Sequence, residues 1–134
     1  FLGIPSVALS LVCEREMGFD RAAQHSVAVL RQLAPLQEGD VINVNIPRLS
    51  RGEPKAPRVV PQATSGFDEY YIPQKNGDSD TVFQLAGGAF RPEAVPTDTT
   101  TLSDGHITIT PLRADMTDHD KTGTLMTRLG QNRP

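Results

Sequence analysis

The first third of the chain carries two different patterns of hydrophobic and polar positions. Residues Ile4 to Val12 form an uncharged apolar run with β-branched members, which is typical of a strand covered on both faces. After Asp20, which we predict as an N-cap, small or apolar residues recur every three or four positions, which predicts a helix that ends before Pro35. The predicted buried stripe of this helix comprises Ala22, Ala23, Ser26, Val27, Leu30 and Leu33.

A second strand is predicted directly after this helix. Residues Val41 to Ile46 alternate, so that Ile42, Val44 and Ile46 share one face while Asn43 and Asn45 share the other. A strand, a helix and a second strand within so short a segment indicate a βαβ crossover with two parallel strands.

Proline and glycine change the character of the chain after residue 47. The run of prolines from Pro47 to Pro61 favours an extended loop or an edge strand over a helix. Turn signals at Ser65-Gly66 and Asn76-Gly77 separate short candidate strands, which predicts an antiparallel excursion. The candidate strands are Val59 to Ala63, Tyr70 to Pro73 and Thr81 to Ala86, and a connector with Gly87, Gly88, Pro92 and Pro96 follows them.

The last forty residues predict one more strand and a helix. Residues His106 to Thr110 alternate in the β pattern before Pro111. The tail from Asp115 to Leu129 favours a helix around Leu125, Met126 and Leu129, which Gly123 weakens.

Charge and cysteine content narrow the classes of function. The 134 residues have a formal net charge of −3, so the basic footprint of a protein that binds nucleic-acid polymers or an anionic membrane is lacking. The single Cys13 excludes an internal disulfide and favours a reducing, cytoplasmic setting. Because the sequence opens on Phe1 directly before a buried-type strand, we expect a piece of a longer protein.

Two groups of residues imitate metal sites. Cys13, His25, His106 and His119 do not stand at the spacing of a zinc ligand pair. Asn76, Asp78 and Asp80 resemble the start of a calcium loop, but Thr81 and Gly87 occupy the positions where such a loop needs Gly and Glu. A hairpin turn at Asn76-Gly77 explains that composition without a metal.

Two further groups allow a functional and a structural interpretation. In the acidic group Asp115, Asp118, His119 and Asp120, the first Asp and the His stand four residues apart, which on a helix predicts a charge-assisted hydrogen bond. We expect this contact to hold the C-terminal segment, with an acid/base pair as the alternative. The basic residues Arg48, Arg51, Lys55 and Arg58 form the second group, and Glu53 lies among them in the sequence. We expect their side chains to form a solvated surface, with phosphate binding as the alternative. No nucleophile motif or glycine-rich phosphate loop is present in the sequence.

Two stretches of the sequence resemble the SurE (survival protein E) family. The first stretch contains Gly3 to Leu11 (GIPSVALSL), then Phe19 to Ala23 (FDRAA) and Asn43 to Pro47 (NVNIP). The second stretch is similar to the closing pattern of the family in order and spacing, and the resemblance therefore extends over nearly the whole chain. Its residues are Thr97, Asp98, Leu102, Gly105, Ile107 to Leu112 (ITITPL), Asp115 and Thr117.

The resemblance implies an α/β fold, namely part of a Rossmann-type three-layer fold with its βαβ unit, a projecting antiparallel β-hairpin region, a C-terminal strand and a tail helix. Residues 1–47 would belong to the Rossmann-like core, residues 48–96 to a hairpin that serves oligomerisation, and residues 97–134 to the closing strand and tail.

The resemblance also implies a metal-dependent phosphomonoesterase of nucleoside 5′- and 3′-monophosphates that forms a homodimer or homotetramer. In the family the ligands of the Mg or Mn ion precede the strand that begins at Gly3, so no catalytic or metal-ligating residue is assigned here. Structural or oligomer contacts are assigned to Asp98, Asp115 and His119. We therefore expect a chain that is inactive alone; the alternatives are a non-catalytic interaction module derived from the family and a phosphate binder that uses the loop arginines.

Overall fold

The computed structural model describes residues 3–76, 80–90 and 93–131, and they form a four-stranded sheet and a separate two-stranded hairpin. The sheet has the strand order β1-β2-β6-β3, and the hairpin consists of β4 and β5. The elements are β1 (Ser6–Leu11), α1 (Phe19–Leu33), β2 (Val41–Ile46), a 3₁₀ helix (Leu49–Arg51), β3 (Lys55–Val59), β4 (Phe67–Asn76), β5 (Asp80–Phe90), α2 (Asp98–Ser103), β6 (His106–Leu112) and α3 (His119–Arg128).

The predicted βαβ unit is confirmed. Strands β1 and β2 are parallel and in continuous register, from Ser6 opposite Val41 to Leu11 opposite Ile46, and α1 connects them. The bounds predicted for β2 are those observed. Strand β6 pairs with the other side of β2 in the antiparallel sense, so the sheet is mixed.

Helix α1 buries a narrower stripe than its sequence predicts. Ala22, Ser26 and Val29 are its buried residues, whereas Ala23 and Val27, which we placed in the stripe, are exposed. The observed spacing of four and then three residues follows a single line along the helix, and the predicted set spread over a wider arc. The predicted N-cap is also wrong, because Gly18 is the N-cap and Asp20 lies within the first turn.

The core lies between α1 and the middle of the sheet. One buried cluster comprises Val29, Val44, Ile107 and Ile109, and a second joins Ala22, Ile46 and Leu49. The alternation predicted for β2 is confirmed, since Val44 and Ile46 point into these clusters while Asn45 reaches Thr108 on β6, with 3.4 Å between Nδ2 and Oγ1.

Strand β1 is exposed, although its sequence predicts a strand covered on both faces. It forms one edge of the sheet and pairs only with β2 among the described residues. Leu9 on this strand is 42% exposed, and Ile4 just before it is 65% exposed. The apolar sequence is typical of a strand in the interior of a sheet, but β1 is an edge strand here.

The proline-rich segment supplies the opposite edge strand, as predicted, but at a different position. Strand β3 covers Lys55–Val59 and runs parallel to β6, so the strand predicted from Val59 to Ala63 is wrong. The register shifts between Lys55 and Arg58, which brackets Pro57. A proline has no amide hydrogen to donate, and an edge strand with an irregular register tolerates that loss.

Strands β4 and β5 confirm the antiparallel excursion and make it longer than predicted. They pair from Phe67 opposite Phe90 to Asn76 opposite Asp80. Gly87 and Gly88 lie within β5, so the connector predicted there is wrong at these two positions. The turn residues Gly77 and Asp78, and Pro92 of the predicted connector, lie outside the described residues.

Two helices complete the fold. Helix α2 was not predicted; it begins after Thr97, whose amide donates to the Thr100 hydroxyl at 2.9 Å. Helix α3 confirms the predicted tail helix but begins at His119 and not at Asp115, because Asp118 caps it by accepting a hydrogen bond from the Lys121 amide at 2.8 Å. Strand β6 extends to Leu112, two residues beyond its predicted end.

Candidate functional site

A cleft of about 450 Å³ lies at the end of the four-stranded sheet where β1 and β2 terminate. Val12 follows the carboxyl end of β1, and Pro47 follows that of β2. The start of β3 and the carboxyl-terminal half of α2 close the other side. In open α/β sheets, ligands bind beyond the carboxyl ends of the parallel strands, and this cleft occupies that place. Its lining residues are Val12, Pro47, Arg48, Arg51 to Lys55, Thr99 and Leu102 to Gly105.

Three of the four residues of the predicted basic group line this cleft. They are Arg48, Arg51 and Lys55. Arg48 acts electrostatically on the nearby Glu14 carboxylate and helps to lower its pKa, while no direct ion pair joins any of the three side chains to a carboxylate within residues 3–76, 80–90 and 93–131. The fourth, Arg58, is exposed on β3 and does not line the cleft. The structure therefore brings together cations that the sequence spreads over an irregular loop.

The loop that carries the two arginines is fixed by a carboxylate from the segment after β1. Glu14 Oε1 accepts hydrogen bonds from the Leu49 amide at 3.2 Å and the Ser50 amide at 3.4 Å, and Glu14 Oε2 accepts from the Ser50 hydroxyl. These bonds, that of the Ser50 hydroxyl first, hold the pKa of the Glu14 carboxyl below its usual value.

Helix α1 fixes the same loop from the other side. The Arg21 guanidinium donates to the carbonyl oxygens of Leu49 at 3.0 Å and Gly52 at 3.2 Å. Gly52 has φ +115° and ψ −158°, a backbone conformation that is essentially restricted to glycine. The turn between Arg48 and Lys55 thus has a defined shape, which the residues Glu14, Arg21 and Gly52 determine.

Glu53, the acidic residue within the basic group, is occupied by α1. Its Oε1 lies 2.6 Å from Arg21 Nη2, and its Oε2 lies 3.3 Å from His25 Nε2. Arg21 therefore offsets part of the negative charge that Glu53 brings to the cleft. His25, whose side chain is 25% exposed, thus lies against a carboxylate.

Two carboxylates hold the base of the hairpin. Asp98 is buried, and its Oδ1 accepts from the Ala63 amide at 2.8 Å, which ties α2 to the segment after β3. Glu93 Oε1 accepts from the amides of Thr64 at 3.2 Å and Ser65 at 3.1 Å, while its Oε2 accepts from the Thr97 hydroxyl. We call Glu93 and these partners the Glu93 cluster. Its hydrogen bonds, that of Thr97 first, lower the pKa of Glu93.

Asp115 and His119 form the hydrogen bond that their spacing predicts, with 2.7 Å between Asp115 Oδ2 and His119 Nε2. Asp115 lies before α3, and His119 is the first residue of the helix. The bond therefore joins the preceding segment to the helix and does not connect two residues one turn apart within it. Asp115 also accepts from the Thr117 amide at 2.9 Å, and its hydrogen bonds with Thr117 and then His119 lower its pKa well below the usual range. Both side chains are exposed, and whether they contact another protomer stays a prediction.

The described residues provide no ligand set for the metal ion that the resemblance implies. Nowhere in residues 3–76, 80–90 and 93–131 do three His, Cys, Asp or Glu side chains converge. His106, a candidate from the sequence, lies instead with its Nδ1 2.8 Å from the Ala56 carbonyl oxygen, and Asp78 of the second candidate group lies outside the described residues. We therefore derive no catalytic step from a metal in this chain.

Sequence reasoning missed the residues that shape the site. Glu14, Arg21 and Glu93 each bind backbone groups 28 or more residues away, and no local motif indicates such contacts.

Across the described part of the chain, no helix has the length and hydropathy needed to cross a membrane.

The fold and the cleft define a Rossmann-like α/β protein whose candidate site lies at the carboxyl ends of two parallel strands. The family model described as "Survival protein SurE" matches residues 1–69, which is more than half of the chain. The chain belongs to the SurE family, as the sequence motifs indicated.

Curated relatives agree with this assignment, and a solved structure shares the fold. The chain is 33% identical over 121 residues to the 5′/3′-nucleotidase SurE of Escherichia coli O127:H6 (strain E2348/69 / EPEC) and 32% identical to that of Shigella boydii serotype 18 (strain CDC 3083-94 / BS512). Each alignment covers 88% of this chain and 47% of the relative, so the chain spans about half the length of the curated relatives it matches. The crystal structure of the SurE protein from Aquifex aeolicus has the same fold, with a TM-score of 0.78 and 24% identity over 95% of this chain and 52% of that one.

Proposed function

We propose that this chain is the C-terminal part of a metal-dependent phosphomonoesterase that hydrolyses nucleoside 5′- and 3′-monophosphates. The observation that carries the proposal is the basic cleft at the edge of the sheet where α/β proteins bind ligands, in a chain of the SurE family. The relatives are 5′/3′-nucleotidases and are about twice as long as the matched segment.

In this proposal the divalent metal, Mg or Mn, and the residues that hold it belong to the half of the protein that precedes this segment. A divalent ion that stabilises a phosphoryl group needs several converging oxygen ligands. This chain would contribute strands, one wall of the substrate site and surfaces for assembly, in a cytoplasmic enzyme.

We further propose that the complete protein is a homodimer or a homotetramer that uses the β4–β5 hairpin. Both faces of the hairpin carry exposed apolar side chains, with Tyr70 and Ile72 on one face and Tyr71, Phe83 and Leu85 on the other. A two-stranded hairpin is marginally stable in water, and apolar residues on both of its faces favour burial against a partner.

A phosphatase assay tests the proposed function. We expect the 134-residue chain to show no turnover of AMP or of a generic phosphomonoester with Mn²⁺ or Mg²⁺. The longer protein encoded by the reading frame that contains this chain should turn over both substrates and lose activity with a chelator. Chelator-sensitive turnover by the 134-residue chain alone would show that the catalytic groups lie within it, and an inactive longer protein would refute the proposed enzyme.

The second candidate function is a non-catalytic interaction module that has kept the assembly surfaces of the family. The exposed apolar residues on both hairpin faces favour it, because they serve association without chemistry. The reading frame upstream of Phe1 separates the two candidates. An aspartate pair in an N-D-D-G context supports the enzyme, whereas a native start codon next to Phe1 supports the module.

A further inference from the structure

We propose that the Arg48–Lys55 loop is held on α1 by a pH-sensitive contact. Arg21 binds the Glu53 carboxylate throughout the pH range in which histidines titrate, and His25 binds it as an ion pair only while the His25 ring is protonated. We call this arrangement the Glu53 tether. The part of the loop from Gly52 to Pro54, which lines the cleft, is then held more firmly below neutral pH than above it. The inference concerns contacts within this chain and does not rest on the proposed function.

The Glu53 carboxylate bridges two side chains that lie one turn apart on α1. Its Oε1 accepts a hydrogen bond from Arg21 Nη2 at 2.6 Å, and its Oε2 lies 3.3 Å from His25 Nε2. Each carboxylate oxygen therefore has its own partner, and the two contacts do not compete. An arginine stays charged in proteins, whereas a histidine changes charge between about pH 5 and 8. Only the contact with His25 is therefore switched in this range.

Backbone hydrogen bonds fix the loop on both sides of Glu53. The Gly52 amide donates to the Leu49 carbonyl oxygen at 3.2 Å, and the Lys55 amide donates to the Gly105 carbonyl oxygen at 2.8 Å. Glu53 lies between these two anchors and is exposed. Its side-chain contacts with α1 therefore contribute to how firmly this end of the loop is held.

The other charged groups around the Glu53 tether keep a constant charge in the same pH range. Helix α1 meets the sheet through apolar clusters, which contribute no charged side chain. Arg48 and Arg51 on the loop stay protonated. Glu14, which binds the other end of the loop, stays ionised because its hydrogen bonds lower its pKa. The attachment of the loop to Glu14 is thus independent of pH where that to His25 is not.

His106 is the one other histidine that contacts this region within the described residues. Its Nδ1 lies 2.8 Å from the carbonyl oxygen of Ala56, which follows Lys55 at the start of β3. Its protonation is therefore an alternative source of a pH effect near the loop. The Gly52 amide lies on the side of Glu53 away from Ala56 along the chain, so it is the better reporter.

Amide hydrogen exchange on the 134-residue chain, followed by NMR, tests the inference. The readout is the protection factor of the Gly52 amide, which removes the intrinsic pH dependence of exchange. We expect it to fall about two- to threefold between about pH 5.5 and pH 7.5, because the charged contact is lost as the pH rises and an exposed ion pair is of modest strength.

Two substitutions of His25 should abolish this pH dependence in opposite ways. In His25→Gln the protection factor should stay at the low value of the parent at about pH 7.5, because no cation replaces the protonated ring. In His25→Lys it should stay near the higher value at both pH values, because the ammonium group keeps its charge. Glu53→Gln should also remove the pH dependence. Circular dichroism melts confirm that each variant folds as the parent does.

The matched controls are His106→Gln and His119→Gln, which remove the other two histidines of the chain and should leave the pH dependence at Gly52 unchanged. A protection factor that does not change with pH in the parent would overturn the Glu53 tether. A pH dependence that persists in His25→Gln or in Glu53→Gln would overturn it as well, and its loss in His106→Gln would assign the effect to the contact with Ala56 instead.

Discussion

Gly87 lies so close to Asp68 that a Cβ atom added to it would stand 2.0 Å from the Asp68 carbonyl oxygen. The two residues meet where the hairpin register shifts, since Asp68 pairs with Ala89 while Glu69 pairs with Gly87, and Gly88 is the extra residue. Both glycines have positive φ, +90° and +95°. The contact marks a β-bulge that only glycine fits without displacement of the partner strand.

Replacing Gly87 by Ala should therefore destabilise the hairpin. The obstacle is a backbone atom rather than a flexible side chain, and the left-handed φ adds strain, so we expect a loss of about 1–3 kcal/mol for the hairpin. Amide hydrogen exchange measures it: exchange in β4 and β5 should accelerate while exchange in β2 and β6 stays unchanged.

Two matched variants separate the causes. Gly88→Ala carries the strain of positive φ with no heavy atom within 4 Å of the added Cβ, and Gly66→Ala carries neither effect. We expect the order Gly87→Ala, Gly88→Ala, Gly66→Ala in decreasing damage. Equal protection of the hairpin in all three variants would contradict the close contact.

The carboxylate of Asp115 should make stability depend on pH in the acidic range. Hydrogen bonds from Thr117 and His119 lower its pKa in the folded state below the usual 3.8. A lowered pKa contributes stability above the unfolded value, and the contribution is lost as pH falls through the folded pKa. Asp115→Asn should thus be less stable than the parent at about pH 6, and the gap should shrink below pH 3.8.

Urea unfolding across this pH range measures that gap. The control is Asp80→Asn, which changes an exposed carboxylate on β5. A gap that remains constant with pH, or one that the control reproduces, would mean that the Asp115 hydrogen bonds do not favour the charged form.

Glu93 should control the mobility of the hairpin base. Glu93→Gln removes the negative charge, so the Thr64 and Ser65 amides donate to a neutral oxygen in place of a carboxylate, and the Thr97 hydroxyl has to accept from the new amide group where it now donates. We expect the Thr64 and Ser65 amides to exchange about five- to tenfold faster. In Glu69→Gln, a change on the exposed part of β4, their exchange should be unchanged; unchanged exchange in Glu93→Gln would refute the cluster as a restraint.

Periodicity predicted the elements in which burial follows one face. Ile42, Val44 and Ile46 alternate because β2 is central and packs against α1, and the βαβ unit follows from that pattern. Helix α2 escaped prediction because a run of three threonines has low helix propensity, and the cap at Thr97 and the contacts of Asp98 stabilise it instead.

The candidate site was predictable in its residues but not in its geometry. The sequence placed Arg48, Arg51 and Lys55 together, with phosphate binding as one interpretation. It did not indicate that Glu14 and Arg21 fix the loop, or that α2 closes the cleft, because these contacts join residues far apart in the chain. Tertiary contacts of this kind leave no periodic or local signal.

Ile46 at the end of β2 connects the core to the cleft, and its truncation should be costly. It is 2% exposed and packs with Ala22, Leu49 and Leu11, and Leu49 begins the 3₁₀ helix of the basic loop. Ile46→Ala removes buried methyl and methylene groups from this cluster, so we expect a loss of about 2–5 kcal/mol in the free energy of unfolding. Ile4→Ala is the matched control, because the same atoms are removed from a residue that is 65% exposed, and it should cost less than about 0.5 kcal/mol. Denaturant unfolding at constant m-value measures both variants. Equal losses would show that Ile46 is not a core residue, and a large loss for Ile4 alone would show that the edge of β1 is covered.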